Sequence, residues 1–229
     1  MQGKLTKQLP EDGNAEDLLK EIKAEKEKLI AEGKIKRQKP LAPITNEEIP
    51  FNIPENWKWV RLPDISESLL GKTLNKSTDN GIEKPYLCSI NIYWDGVNLN
   101  KVKTAKFSQN DIEQYRLSKN DLLICEGGDV GRSAIWNLDS EMYYQNALHR
   151  IRFYGGINVE YIHKLLDCYK HTGLIDDYSK GVTIKHLVQS ALNQIPIPLP
   201  SLAEQKRIVE RLNSLIQNIN VVGDLIASE

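Results

Sequence analysis

The reading of this chain turns on one stretch, Ile195-Pro196-Ile197-Pro198-Leu199-Pro200-Ser201-Leu202-Ala203-Glu204-Gln205-Lys206-Arg207-Ile208-Val209. Three alternating prolines bar a helix from residues 196–200, because proline lacks an N–H and fixes its own φ. Directly after them, Ser201 and Glu204 have the spacing of a capping box. In that arrangement the serine hydroxyl takes a free first-turn N–H and the glutamate answers back. A helix follows. Ile208, Leu212, Leu215, Ile219, Val222 and Ile226 recur at alternating steps of four and three, the a/d seam of a coiled coil held for nearly three heptads. A helix from Leu202 to Ser228 is ~40 Å long at 1.5 Å per residue, and Gly223 weakens its last turn.

Such a seam needs a partner helix, and the other end of the chain offers one. Residues 14–33 are rich in strong helix formers, with acids early and Gly33 at the end. Leu18, Leu19, Ile22, Leu29 and Ile30 form a stripe too thin for a core but suited to lying along another helix. Leu18, Ile22 and Leu29, with the six heptad residues, are therefore the expected helix–helix interface. Pro40, Pro43, Pro50 and Pro54 keep residues 34–54 extended, as a strap that sets a distance between two bodies.

The middle of the chain reads as mixed. Short apolar or alternating runs at residues 59–62, 121–124, 134–136 and 150–153 predict strands, separated by glycine-bearing breaks. Helices are predicted at Asn158–His171, where Ile162, Leu165, Leu166 and Tyr169 share a face, and at Lys185–Asn193. The predicted fold class is α+β: one mixed domain flanked by long helices that form an antiparallel coiled-coil-like spacer. Residues 1–40 are a helix and strap, 41–54 a proline-rich linker, 55–199 the mixed domain and 200–229 the heptad helix.

Composition narrows the function. Of 229 residues, 40% are hydrophobic and 27% charged, and the net charge is −1. Residues 55–199 balance at 17 basic and 17 acidic groups, so the basic excess of a free-standing nucleic-acid binder is missing. No run approaches the roughly 20 apolar residues of a membrane helix, and Met1 to Pro10 lacks the apolar core of a secretory signal. Cys88, Cys125 and Cys168 are odd in number and far apart, which argues against a disulfide framework and for a reduced, cytoplasmic setting.

Several polar segments carry candidate chemistry. Gly127-Gly128-Asp129-Val130-Gly131-Arg132 lacks the Lys-Ser/Thr of a phosphate loop, so its glycines read as a tight turn between strands, with Arg132 a phosphate or guanine contact. Lys72, Thr73, Asn75 and Lys76 lie in a polar loop. Gln145, Asn146 and Arg150 carry amide and guanidinium groups near a strand start. Thr183, Lys185 and His186 sit in a turn before a predicted helix, whose free N–H groups can receive a phosphate. His163, Asp167 and His171 share one helical face, read as a solvent-facing polar side rather than a metal site. Trp57 and Trp59 read as packing rather than base-stacking residues. Methyltransferase and dinucleotide-binding motifs are missing from the sequence. The pattern of a metal-dependent nuclease finds only Pro63-Asp64 and a distant Glu204-Gln205-Lys206.

The run Pro200-Ser201-Leu202-Ala203-Glu204-Gln205-Lys206-Arg207-Ile208 resembles the signature that opens a spacer helix in the specificity (S) subunits of type I restriction–modification systems. Residues 18–34, the run from Pro54-Glu55-Asn56-Trp57 to Leu62, and Asp121–Ile124 followed by Gly127 and Gly131-Arg132 are similar to that family too. An intact S subunit alternates two target recognition domains with two helical regions. This chain carries one recognition domain, so the resemblance implies a half-length form, permuted relative to one repeat. It further implies a homodimer with a recognition domain at each end, reading double-stranded DNA as an interrupted palindrome. Methyltransferase (M) subunits would dock on the helices, carry S-adenosylmethionine and connect to the restriction subunit. This chain would bind no cofactor, catalyse nothing and contact no membrane. On that reading the DNA-binding residues are Lys72, Thr73, Asn75, Lys76, Arg132, Gln145, Asn146, Arg150, Thr183, Lys185 and His186. The alternative is an assembly or decoy protein that binds methyltransferase subunits without specific readout.

Overall fold

The computed structural model describes residues 1–74, 81–179, 181 and 185–227, with side chains to Val221. Asn75, Lys76 and Thr183, and the side chains of Val222 and Ile226, lie outside the described residues. In chain order the helices are α1 (Ala15–Ala31), α2 (Leu62–Ile65), α3 (Gln109–Tyr115), α4 (Val159–His171), α5 (Leu174–Tyr178), α6 (Gln189–Leu192) and α7 (Leu202–Ala227). The strands are β1 (Lys58–Arg61), β2 (Ser66–Leu70), β3 (Ile82–Leu87), β4 (Ile92–Tyr93), β5 (Gly96–Val97), β6 (Lys103–Phe107), β7 (Asp121–Cys125), β8 (Ser133–Trp136), β9 (Tyr143–Tyr144), β10 (Leu148–Phe153) and β11 (Pro196–Leu199). The fold is α+β, as the sequence predicts. Two compact units form: Met1–Val60 with Gly155–Tyr161 and Pro196–Glu229, and Arg61–Tyr154 with Ile162–Ile195.

The first unit is organised around the start of α7. The Ser201 hydroxyl accepts from the Glu204 N–H at 3.3 Å, which is half of the expected capping box. The other half is missing because the Glu204 carboxylate, fully buried, serves elsewhere. It accepts from Thr6 Oγ1 at 2.9 Å, Gln8 Nε2 at 2.5 Å and Trp57 Nε1 at 2.8 Å. One helical turn on, Arg207 grips Asp12 with two guanidinium nitrogens, at 2.6 and 2.5 Å. The proline run is no mere helix stop: β11 is a fully buried strand paired with β1. A two-stranded sheet tolerates alternating prolines because each strand keeps one edge that owes no hydrogen bond. Residues 34–54 hold only one short 3-10 turn, Asn46–Glu48, and fall within this unit.

Helix α1 starts where predicted, with the Asn14 side chain accepting from the Asp17 N–H at 2.9 Å. Its stripe has a different use from the expected one. Leu18 and Ile22 are buried, and they close on Gly155 so tightly that a Cβ there would sit 2.4 Å from Ile22 Cγ1. Gly155 has φ +60°, and its N–H donates to Glu25 at 2.7 Å. Leu18 and Ile22 are thus spent on this glycine turn and are not an open face awaiting a helix, while Leu29 stays half-buried. Along α7, burial fades: Ile208 is buried, Leu212 and Leu215 are half-buried and Ile219 is 69% exposed. The helix continues through Gly223 to Ala227.

The second unit is built on a four-stranded antiparallel sheet in the order β2-β10-β7-β8. Every residue of β7 is buried. Leu123 and Cys125 join Trp136, Tyr144 and Leu148 in one apolar cluster. A three-stranded sheet, β6-β3-β9, carries a second cluster of Tyr86, Cys88, Phe107 and Tyr143. Within this unit α4 buries Ile162, Leu165, Leu166 and Tyr169, as predicted. His163 departs from the expected solvent-facing side. It is 8% exposed, with Nδ1 2.9 Å from Ser133 Oγ and Nε2 3.1 Å from the Trp94 carbonyl. The helix predicted at 185–193 reduces to the single turn α6.

Candidate nucleic-acid interface

The polar segments singled out in the sequence come from four separate loops of the second unit. Backbone hydrogen bonds stitch them edge to edge. The loop after β2 joins the loop after β9: Asn146 N–H donates to Lys72 O at 2.9 Å and Lys72 N–H to Tyr144 O at 3.3 Å. The approach is close enough that a Cβ on Gly71 would lie 2.3 Å from the Gln145 carbonyl carbon. The loop after β9 joins the end of β7 through Glu126 N–H to Ala147 O at 3.0 Å. Glu126 O in turn accepts from Leu187 N–H at 2.8 Å, which fixes the segment ahead of α6. That N–H is therefore not available to a phosphate.

A buried histidine supports the last junction. His149, fully buried on β10, lies with Nε2 3.0 Å from Leu187 O and 3.8 Å from Glu126 Oε2. Burial holds its pKa below the usual value, against the pull of the Leu187 carbonyl and the Glu126 carboxylate. The glycine segment between β7 and β8 is the predicted tight turn. Gly131 N–H donates to Cys125 O at 2.9 Å and Cys125 N–H to Arg132 O at 2.8 Å. Gly128 and Gly131 adopt φ +81° and +82°, where a side chain is strained. Burial pushes the Cys125 thiol up to about 11, against the opposing pull of the Arg132 guanidinium.

The side chains on these loops fall into two groups. Thr73 and His186 are exposed, Gln145 and Asn146 half-buried. Among the described residues, none of these four side chains makes a hydrogen bond. Lys185 is also exposed, held only loosely, 3.6 Å from Asp176. Two other predicted residues are engaged inside the unit. Lys72 is 9% exposed, its Nζ 2.7 Å from Asp111 Oδ2 and 5.6 Å from the centre of the Phe107 ring. Burial works against the Asp111 carboxylate, but Lys72 and Ser108 outweigh it and hold its pKa below the ordinary range. Arg150 is 4% exposed and donates to Glu67 at 2.8 Å and Gln114 O at 3.4 Å, so it lies in the sheet rather than on an open surface. Arg132 is intermediate. It donates to Ser89 O at 2.9 Å, and its guanidinium sits 5.1 Å over the Tyr93 ring.

Sequence reasoning missed the partners: Asp111, Glu67, His149 and Glu126, and Lys170, which reaches Asp129 at 3.3 Å and Asp176 at 3.5 Å. Apart from Lys170 and Asp176, six residues apart, the partners lie far along the chain from the groups they hold, so spacing carried no signal for them. Among the described residues, no cluster of histidine, cysteine or carboxylate side chains can hold a metal ion. Among the described residues, no helix is long and apolar enough to cross a membrane.

Residues 54–227 match the family model of the type I restriction modification DNA specificity domain, and the chain belongs to that family. It is 31% identical to the EcoAI specificity subunit of Escherichia coli, over 98% of this chain and 39% of that protein. Against the Escherichia coli EcoEI specificity subunit it is 29% identical, over 94% of this chain and 37% of the other. The chain thus spans roughly two fifths of these relatives. The fold is similar to the HsdS subunit from Thermoanaerobacter tengcongensis, with TM-score 0.59 and 20% identity over 77% of this chain and 41% of that one.

Proposed function

We propose that the chain is a non-catalytic, sequence-reading subunit of a type I restriction–modification complex. Its stitched loops read duplex DNA in the second unit. Its helices pair two copies and dock methyltransferase subunits, through which the restriction subunit joins, so that two recognition units address a bipartite target. It holds no cofactor itself, and S-adenosylmethionine belongs to the methyltransferase subunit. The setting is the cytoplasm. The recognition residues are Thr73, Gln145, Asn146, Lys185, His186 and Arg132, with Asn75, Lys76 and Thr183 beside them in sequence. Lys72 and Arg150, engaged with Asp111 and Glu67, brace the framework beneath these loops and are not among the groups that meet the duplex.

One observation carries the reading. Four loops distant in sequence are fixed side by side by backbone bonds, yet present amide, hydroxyl and imidazole groups with no internal partner among the described residues. Such groups are the ones that pair with base edges: an Asn or Gln amide matches adenine in the major groove. For dimerisation, the support is the fading burial of α7, which leaves Ile216 and Ile219 43% and 69% exposed along its second half. Selection from a random duplex library, with and without the methyltransferase subunit, tests the reading. An interrupted palindrome is the expected product. A single enriched half-site would keep the reader and remove the symmetric dimer. No enrichment in either condition would overturn readout and favour an assembly or decoy protein.

A further inference from the structure

The second unit holds its cations in two ways. Some ion pairs are short and shielded: Arg152 clasps Asp121 with two bonds of 2.8 Å, and Lys72 meets Asp111 at 2.7 Å. Beside the glycine turn the pairs are long and wet. Arg132 stands 3.8 Å from Asp129, Lys170 3.3 Å from Asp129 and 3.5 Å from Asp176, and Lys185 3.6 Å from Asp176. Both aspartates have 40% of their side chains exposed, against 20% for Arg132, 23% for Lys170 and 50% for Lys185, so the carboxylate side of each pair faces water. Charge-assisted hydrogen bonds run at about 2.7–2.9 Å, so these contacts are loose enough to exchange partners. Three cations thus share two carboxylates. The buried Arg132 Nε lacks a hydrogen-bond partner among the described residues. The cluster adjoins the stitched loops: a Cβ on Gly127 would meet the His186 ring at 3.3 Å, and one on Gly131 would meet Ile175 of α5 at 2.7 Å.

We infer that Asp129 and Asp176 are specificity-determining residues, acting as internal stand-ins for DNA phosphate that occupy Arg132, Lys170 and Lys185 and hold down sequence-independent affinity. The inference rests on the DNA-reading proposal. Sequence-independent binding comes from phosphate neutralisation by lysine and arginine, and it competes with target search. A carboxylate already on the cation must be displaced before phosphate can bind. Only a correctly seated duplex, gaining base contacts at the neighbouring loops, offsets that displacement in full. This also gives the balanced charge of the second region a role: its loosely paired carboxylates work against indiscriminate binding.

The test titrates the full chain against a fluorescent duplex of arbitrary sequence across a salt series. The variants are Asp176→Asn and Asp129→Asn, with Glu210→Gln as control. Glu210 is an exposed carboxylate on α7, so its loss changes net charge equally. Each aspartate variant is expected to bind about three- to tenfold tighter at low salt. The slope of log K against log salt should steepen by about one contact. Lys170→Ala should bind more weakly with a shallower slope. Variants that bind no tighter than Glu210→Gln overturn the inference while leaving DNA reading intact. A wild-type chain with no affinity for any duplex at low salt overturns the DNA-reading proposal itself. Because the two aspartate changes sit on different elements, misfolding of one leaves the other to decide.

Discussion

Replacing Glu204 by alanine should destabilise the first unit more than any other single change at the head of α7. The carboxylate is fully buried and accepts from three neutral donors, Thr6 Oγ1, Gln8 Nε2 and Trp57 Nε1. Trp57 is itself 2% exposed, so its indole N–H would be left buried and unpaired, a loss of about 1–3 kcal/mol. Thr6 is half-buried and Gln8 exposed, so both can turn toward water, and each adds only about 0.5–1 kcal/mol. The sum for Glu204→Ala is roughly 2–5 kcal/mol, a large share of the ~5–15 kcal/mol that holds a domain together. Glu204→Gln keeps one acceptor oxygen and sets an NH2 against the remaining donors, so it should lose about 2 kcal/mol. Urea unfolding followed by tryptophan emission measures both changes, and proteolysis of residues 1–12 reports release of the N-terminal segment. Were Glu204→Ala to lose less than about 1 kcal/mol with that segment still protected, the buried hub would be refuted.

Gly155→Ala should lose about 2–4 kcal/mol in the same assay, from the strain of a side chain at φ +60° and a Cβ 2.4 Å from Ile22; near-neutrality would mean the turn can shift. His149, held below its usual pKa by burial, binds a proton more readily unfolded than folded. Stability should therefore fall as pH drops below about 6.5 toward the folded pKa, and His149→Gln should flatten that part of the profile in denaturant titrations at pH 5.5 and 7.5. Ile219→Asp, at a 69% exposed position, should abolish self-association in sedimentation at roughly tens of micromolar while leaving the unfolding curve of the dilute monomer unchanged; a monomeric wild type at the higher concentration would refute the dimer.

Local rules reached much of this fold. The alternation in β10, the glycine punctuation between β7 and β8, the 3.6-residue face of α4 and the helix formers with early acids in α1 are short-range signals, and each element stands where its signal placed it. Failures came where a long-range partner decided the outcome. Glu204 has capping-box spacing, but Trp57 and two N-terminal residues compete for its oxygens and win. Leu18 and Ile22 look like half of a helix pair, yet a glycine 130 or so positions away accepts them more closely than a helix can. His163 follows a polar periodicity, but Ser133 and the Trp94 carbonyl satisfy both of its nitrogens in the interior. Proposed recognition residues divide likewise: their types were legible, but their pairing with Asp111, Glu67 or Asp176 was not.

That pairing separates two roles that composition merges. A region with equal basic and acidic counts can be inert toward DNA if every cation is locked. It can also be a restrained reader if only some are. The short Arg152–Asp121, Arg150–Glu67 and Lys72–Asp111 bonds, whose better-shielded partners are 1, 4 and 11% exposed, belong to the framework. Moving a phosphate onto them means dismantling charge-assisted bonds in a low-dielectric setting, which the duplex repays poorly. The longer pairs at Asp129 and Asp176, whose carboxylates are 40% exposed, carry less of that penalty and trade partners more readily. Neutral composition is therefore compatible with DNA reading when the exchangeable pairs lie beside the unpaired amides of Gln145 and Asn146 and the imidazole of His186. The affinity they add is then set by fit at the bases and not by charge alone.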